Sequence, residues 1–340
     1  MPSYLWILAC SVLLQAGGSC SKKSTPPAPA PPPPADTVTT RPSLIDLPSG
    51  WQKATSYMTG FPTGIEVYRN SSLFNGKPMN AFCVVFDPGN TALEFKPVLA
   101  TANKRPSVFF NEESGTTYAC INGGFFGTNA SYSLVQYDGA ISSVNIRSLS
   151  RTYNGTATTY YPTRGAFGID GGGKPDVAWI YHTGTGSGTV YSYPAPSPNA
   201  LNSAPQPPPT ASFPAGGAPW TMKSAIGGSP VLIRNNSITI TDTEELIDIN
   251  NTTARARSAI GATAGGKVIL LAVEGNNPAG GAGLNLEELA TLLKSMGCVQ
   301  ALNLDGGGST AMVVNGQQTV KPSDSGGERA VMSVVLVKKK

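Results

Sequence analysis

Residues 285–309 read NLEELATLLKSMGCVQALNLDGGGS, and this run decides how the chain is built. Leu286, Leu289, Ala290, Leu293 and Met296 recur at helical spacing, which predicts an amphipathic helix from about Leu286 to Met296. Asn285 stands as N-cap with Glu288 three residues on, the reciprocal capping pair, and Gly297 supplies the stop. Directly after it, Val299 to Leu304 reads as a buried strand whose far end is Asp305-Gly306-Gly307-Gly308. A helix feeding a strand in this way sets the Asp305 carboxylate at a sheet edge, where open α/β folds bind ligands.

Outward from this run, hairpin signals recur. Asn75-Gly76, Asp138-Gly139, Asn235-Asn236, Gly265-Gly266 and Asn315-Gly316 each sit between apolar, β-branched stretches. The 39 glycines and 29 prolines are too many for a helical bundle. The expected fold class is therefore α+β, a strand-rich mixed-sheet core with several hairpins and few helices. An internal echo adds detail: Arg164-Gly165-Ala166-Phe167-Gly168-Ile169 with Val177 to Ile180 parallels Arg257-Ser258-Ala259-Ile260-Gly261-Ala262 with Val268 to Leu271. Two related halves around one site would produce it, and so would the shared composition of hairpins; both readings stand.

A chain of 340 residues with 40% hydrophobic residues can bury a substantial core. Its formal charge of +4 comes from only 13% charged residues without a Lys/Arg stripe, which excludes nucleic acid as the expected partner. Leu5 to Leu14 is an apolar run of signal-peptide length leading to Ala16-Gly17-Gly18-Ser19-Cys20. Residues 1–20 are thus expected to be a signal of the lipoprotein type, although Met1 to Tyr4 lack Lys or Arg. The mature chain would be exported to the periplasm or cell surface of a bacterium and touch the membrane only through a lipid anchor at Cys20. Residues 21–45 form a linker, with Pro26 to Pro34 an extended polyproline spacer. The folded domain is expected over 46–340, carrying a Pro-rich surface insert at 193–219. Beyond Cys10 and Cys20 the cysteines are Cys83, Cys120 and Cys298. An odd number allows one disulfide at most, Cys83 to Cys120, or else three buried thiols.

Several motifs invite a functional reading. Gly168 to Lys174 and Gly261 to Lys267 fit G-x-x-x-x-G-K, but Pro175 and Val268 stand where a P-loop needs Ser or Thr, so both are hairpin turns. With His182 as the single histidine there is no His-pair zinc site, and no metal or cofactor is expected. Asn122-Gly123-Gly124-Phe125-Phe126 follows a strand, and its paired glycines let backbone approach a ligand and offer N–H groups to an anion. Asp305 with Gly306, Gly307, Gly308, Ser309 and Thr310 sets a carboxylate beside donor-rich backbone and two hydroxyls. Asn122, Glu274, Asp305, Arg257 and Arg329 each end or flank an apolar strand, and burying them together would be costly without a polar ligand.

At these residues the sequence resembles a known family. Asn122 to Phe126, Arg257 to Gly261, Gly283 to Leu289, Leu302 to Ser309 and Glu328 to Val331 are similar, in order, to the signature blocks of the phosphodiester glycosidase domain, over about residues 80–338. Ala256 departs from the proline common before the Arg, and the Pro-rich insert is additional. The resemblance implies cleavage between a sugar's anomeric carbon and a phosphodiester oxygen, releasing a sugar such as N-acetylglucosamine and a phosphate monoester. It implies Asp305 and Glu274 as nucleophile, base or cation stabiliser. Arg257 and Arg329, with the Gly123-Gly124 and Gly306 to Gly308 backbones, would bind phosphate. Asn122 and Asn303 would hydrogen-bond the sugar. Two alternatives stay open: a metal-dependent phosphodiesterase breaking the P–O bond, and a glycan-binding lipoprotein without turnover.

Overall fold

The computed structural model describes residues 42–277 and 280–340. The expected signal segment, its Cys20 anchor and most of the expected linker lie outside the described residues. The end of that linker is already tied to the fold: the Leu44 N–H donates to Glu66 Oε2 at 3.0 Å, and Ile45 joins the buried cluster that holds Trp51 and Tyr68.

Strands dominate, and among the described residues there are two α-helices, α1 (Pro106–Glu112) and α2 (Leu286–Ser295). An eight-stranded sheet runs in the order Trp51–Lys53, Ile65–Asn70, Ala81–Phe86, Val268–Val273, Arg257–Thr263, Cys298–Asn303, Val231–Arg234, Ser237–Ile238. A seven-stranded sheet includes Val135–Tyr137, Ser224–Gly227, Arg164–Ile169 and Pro175–Thr183, and a five-stranded sheet includes Met312–Val314, Thr117–Asn122, Val331–Lys339 and Leu93–Lys104. Neighbouring strands in these sheets pair antiparallel. The strand ends that meet at one edge therefore include both starts and finishes of strands, which is how Arg257 at a beginning and Asn303 at an end come to lie near one another.

The continuous apolar runs reflect sheets covered on both faces. In Ala81–Phe86, Phe82, Val84 and Phe86 enter a central core shared by the three larger sheets, whereas Ala81, Cys83 and Val85 face α2. Period-two alternation thus persists, but both sets of side chains are apolar. The helix α2 has the capping box between Asn285 and Glu288, Met296 as C-cap, and Gly297 in the left-handed region at φ +85°. Its Leu286, Leu289, Ala290, Leu292 and Leu293 are buried against the eight-stranded sheet. Each fully buried leucine contributes about 1.5–3 kcal/mol relative to exposure.

Each of the five turn signals joins a hairpin, and the Asn-Gly and Asp-Gly pairs carry the positive φ that a two-residue hairpin turn requires. Asn154-Gly155 does the same between Leu149–Tyr153 and Thr156–Tyr160. The two P-loop lookalikes are hairpins. The insert at 193–219 leaves from Thr189–Tyr193 and returns on Ala218–Pro219, which pairs with it. It is pinned on the way by Tyr193 Oη to the Thr210 carbonyl at 2.8 Å and by the Ser197 N–H to Thr163 Oγ1 at 2.9 Å. The Cys83–Cys120 disulfide does not form, and all three cysteines are free and buried. The reason is topological: Cys83 faces α2 from the eight-stranded sheet, whereas Cys120 faces α1 from the five-stranded sheet.

Candidate active site

Three glycines end the strand Cys298–Asn303 and turn the chain sharply. Gly306 is extended, Gly307 lies at φ +58°, and residues Gly307–Ser309 form a single 3-10 turn. A side chain at 308 would lie 2.1 Å from Arg329 Nη2 and 2.2 Å from Asp324 Oδ1, so the arginine and aspartate sit directly on that glycine. At Gly124 a Cβ would meet the Gly227 carbonyl at 2.2 Å, so backbone packs on backbone there too.

Hydrogen bonds gather three sequence-distant segments around Asp305. The Asp305 N–H donates to the Gly123 carbonyl at 3.2 Å, and Asn122 Nδ2 donates to the Asp305 carbonyl at 2.7 Å. Asn122 Oδ1 accepts from Ser258 Oγ at 2.6 Å and from the Ala311 N–H at 3.2 Å. The Leu304 N–H reaches the Ser258 carbonyl at 2.9 Å, and the Gly307 N–H reaches the Ala256 carbonyl at 2.8 Å. Asn122, Ser258 and Asp305 thus share one junction. Asn122 is fully buried and its donors and acceptor are engaged by protein, which makes it the pin of this junction.

A cavity of about 260 Å³ is lined by Phe125 and Phe126, which follow the Asn122 block, by Gly228 and Ser229, by Arg151 and Arg164, and by residues 246–249; none of the expected site residues lines it. Ser229 couples this cavity to the Asp305 strand: its N–H donates to the Asn303 carbonyl at 2.9 Å, and Asn303 Nδ2 donates back to its carbonyl at 2.7 Å. Asn303 Oδ1 and Thr310 Oγ1 are buried polar atoms without a partner among the described residues. Burial pushes the Asp305 carboxyl up to about 6, although the Ser309 hydroxyl, the Gly306 N–H and the Arg329 charge all pull it down.

Residues 115–338 match the sequence profile of the phosphodiester glycosidase family. The chain belongs to the phosphodiester glycosidase family. The family segment starts before Asn122 and ends beyond Arg329, so it contains all the expected site residues. Among curated relatives, the N-acetylglucosamine-1-phosphodiester alpha-N-acetylglucosaminidase of Bos taurus is 39% identical over 103 residues, covering 27% of this chain and 19% of the relative. That of Mus musculus is 44% identical over 69 residues, covering 20% of this chain and 13% of the relative. The chain therefore aligns with under a fifth of the length of these curated relatives. In fold it is similar to the catalytic domain of zebrafish N-acetylglucosamine-1-phosphodiester alpha-N-acetylglucosaminidase, with a TM-score of 0.54, 19% identity, and coverage of 85% of this chain and 88% of that one. A hypothetical protein from Synechocystis gives 0.55 and 20%, covering 83% of this chain and 63% of the other.

Within this member of the family the other expected site residues occupy distinct positions. Glu274 ends its strand with both carboxylate oxygens engaged: Asn80 Nδ2 at 2.6 Å and the Lys321 N–H at 3.1 Å on Oε2, and Asn277 Nδ2 on Oε1. Burial pushes its carboxyl up, but these bonds and one from the Gly281 N–H outweigh it and hold the group below the ordinary range. No hydrogen bond joins it to Asp305 among the described residues. Arg257 is 2% exposed and donates from Nε to the Leu284 carbonyl at 2.9 Å and from Nη2 to the Asn250 and Thr253 carbonyls at 3.0 and 3.1 Å. Its Nη1 makes no hydrogen bond among the described residues. Burial, with Arg255 nearby, pulls its pKa down to about 10. Arg329 is paired with Asp324 through two bonds, Nε to Oδ2 at 2.8 Å and Nη2 to Oδ1 at 3.0 Å. The N–H groups of Gly123, Gly306 and Gly307 go to Ser333 O, Asp305 Oδ1 and Ala256 O; Gly123 and Gly306 are closely packed, whereas Gly307 has open space and is needed for its positive φ.

The two hairpins of the internal echo lie in different sheets, and the arginine that starts each holds the same loop. Arg164 donates to Leu246 O at 3.4 Å, and Arg257 to the carbonyls of Asn250 and Thr253. Ser258, Ser229, Arg151 and Arg164 were not among the expected site residues. The signal for Arg164 was the echo itself, an arginine heading an apolar hairpin like Arg257. His182 is tied to the cavity lining: its Nε2 accepts from the N–H of Asn145, a lining residue, at 3.3 Å. Burial pushes its pKa down to about 4, so the ring is neutral. Among the described residues no group of three or more His, Cys, Asp or Glu gathers to hold a metal ion.

Proposed function

We propose that the chain hydrolyses a sugar-1-phosphodiester at the glycosidic C–O bond, releasing a free sugar of the N-acetylglucosamine type and a phosphate monoester. The observation that carries this reading is the convergence of the 122–123 and 256–258 segments on Asp305, coupled through Asn303 and Ser229 to a cavity lined by aromatic and cationic side chains. Membership of the family and the names of its curated relatives supply the reaction type.

A phosphate is already a good leaving group, so the main task is to stabilise positive charge developing at the anomeric carbon and to hold the anion that departs. Asp305, raised to about 6, has both protonation states within reach near neutrality and can stabilise the cation or activate the attacking group. Asn303, with its free Oδ1, and Thr310 are suited to sugar hydroxyls. The Nη1 of Arg257 remains for an acceptor. Glu274 acts by fixing the loops around Asn80, Asn277 and Lys321.

The test incubates the purified chain with a panel of sugar-1-phosphodiesters in oxygen-18 water and follows free sugar by mass spectrometry. Label in the released sugar is expected. Label in the phosphate would move cleavage to the P–O bond, and binding without any product would leave a glycan-binding protein. We propose in addition that the chain is exported and anchored by acylation of Cys20, for which the sequence from Leu5 to Cys20 is the support.

A further inference from the structure

The cavity that Ser229 links to the Asp305 strand is lined by the aromatic rings of Phe125, Phe126 and Tyr132 and by two guanidinium groups, Arg151 and Arg164. We propose that Arg151 and Arg164 together hold the phosphate group of the substrate, with the organic part lying against the aromatic rings. This assignment rests on the phosphodiester reading above and names the side chains that recognise its anion.

Arg164 begins the strand Arg164–Ile169 and is 8% exposed, whereas Arg151 projects from the exposed hairpin strand Leu149–Tyr153. Both donate to one neutral acceptor, the Leu246 carbonyl, from Nη2 of Arg151 at 3.1 Å and Nη2 of Arg164 at 3.4 Å. Leu246 has φ +52°, a left-handed conformation that a leucine rarely adopts. Such backbone strain persists where surrounding structure fixes it, and it clusters at functional sites. Here it presents the carbonyl to both guanidinium groups.

Two like charges sharing a carbonyl repel, and among the described residues neither has a carboxylate within ion-pair distance. Glu245 lies near enough to favour the charged form of Arg164, but its oxygens accept from Gly165 N, Ser229 Oγ, Val231 N, Thr241 Oγ1 and Trp179 Nε1. Asp248 lines the same cavity, is exposed, and pairs with neither arginine. Arg164 Nε is buried without any hydrogen-bond partner. A phosphate between the two guanidinium groups, taking hydrogen bonds from the N–H groups that line the cavity, would cancel the repulsion between the pair. The fork of a guanidinium matches phosphate in a way that a lysine cannot.

Calorimetric titration of the whole chain with inorganic phosphate tests this, using wild type, Arg164→Met, Arg164→Lys, Arg151→Ala, and Lys223→Met as a charge control. Arg164→Met is expected to weaken binding about 10-fold to 100-fold, the scale for truncating a charged hydrogen bond. Arg151→Ala should lose about 3-fold to 10-fold, because its exposed charge is screened. Lys223→Met should match wild type, and Arg164→Lys should fall between wild type and Arg164→Met. Since Arg164 is buried, Arg151→Ala with a melting curve like wild type is the decisive variant if Arg164→Met does not fold. Folded Arg151→Ala and Arg164→Lys proteins that bind phosphate as tightly as wild type would overturn the assignment, as would a wild-type chain that ignores phosphate. Sugar release measured on the same samples separates the two ideas. Release from a diester with arginine-independent phosphate binding sinks this assignment and keeps the glycosidase reading. Arginine-dependent phosphate binding with no release from any diester keeps the anion site and sinks that reading.

Discussion

Asp305 and Glu274 make an instructive pair. Both follow an apolar strand of the same sheet, and both are followed by glycine. The Glu274 carboxylate is supplied with donors from Asn80, Asn277, Lys321 and Gly281, and its pKa falls. Asp305 has one backbone N–H and a nearby hydroxyl, and burial raises it to about 6. Equivalent places in the chain thus yield one carboxylate held by several donors and another with few. What separates them is the supply of hydrogen-bond donors, which decides whether a buried charge is comfortable.

The contrast can be broken by substitution. Asp305→Asn is expected to lower turnover about 100-fold or more, the scale of acid, base or charge-stabilising side chains, while the chain still folds. Retention of most activity would take Asp305 out of the mechanism. Glu274→Gln should do the reverse, lowering stability by about 2–3 kcal/mol because an amide faces donors that need an acceptor. Denaturant melts and turnover per folded molecule check it, and a large fall in turnover at unchanged stability would show the two carboxylates acting as partners.

The smallest effect is in pH dependence. The Asp305 pKa rises on folding from 3.8 to about 6, so as pH climbs through that window the unfolded chain releases the proton first and folding becomes less favourable. Wild type should lose about 1–2 kcal/mol relative to Asp305→Asn across it, allowing for solvent screening of a partly exposed carboxyl. Paired melts at several pH values measure the divergence; parallel curves would mean that Asp305 is solvated like an ordinary carboxylate.

Local features were legible in the sequence because their causes are local. The capping box at Asn285 and Glu288, the stop at Gly297 and the Asn-Gly turns need only neighbours a few residues away. The order of strands does not: Ala81–Phe86 lies beside Val268–Val273, with Cys83 opposite Leu271. Nothing in a single stretch specifies that register, since both faces of each strand are apolar and alternation is hidden. The short α1 escaped notice because its N-cap, Arg105, makes no side-chain capping bond and only Pro106 and Phe109 are buried. At the candidate site, motif spacing singled out Asn122, Arg257 and Asp305, and the structure brings Asn122 and Asp305 into one hydrogen-bonded junction. Spacing could not reveal that Asn122 is engaged on all sides, or that Arg151 and Arg164 meet at Leu246, because those facts depend on contacts across as many as 189 residues of chain.

The unbridged cysteines carry a practical consequence. Cys83, Cys120 and Cys298 are sealed inside packed sheets, and burial raises the pKa of each, so none presents a thiolate to reagents in solution. Among the described residues reducing agents have no disulfide to cut. Alkylation of these sulfurs then proceeds only when the sheets part, which gives the molecule an intrinsic clock for its own opening.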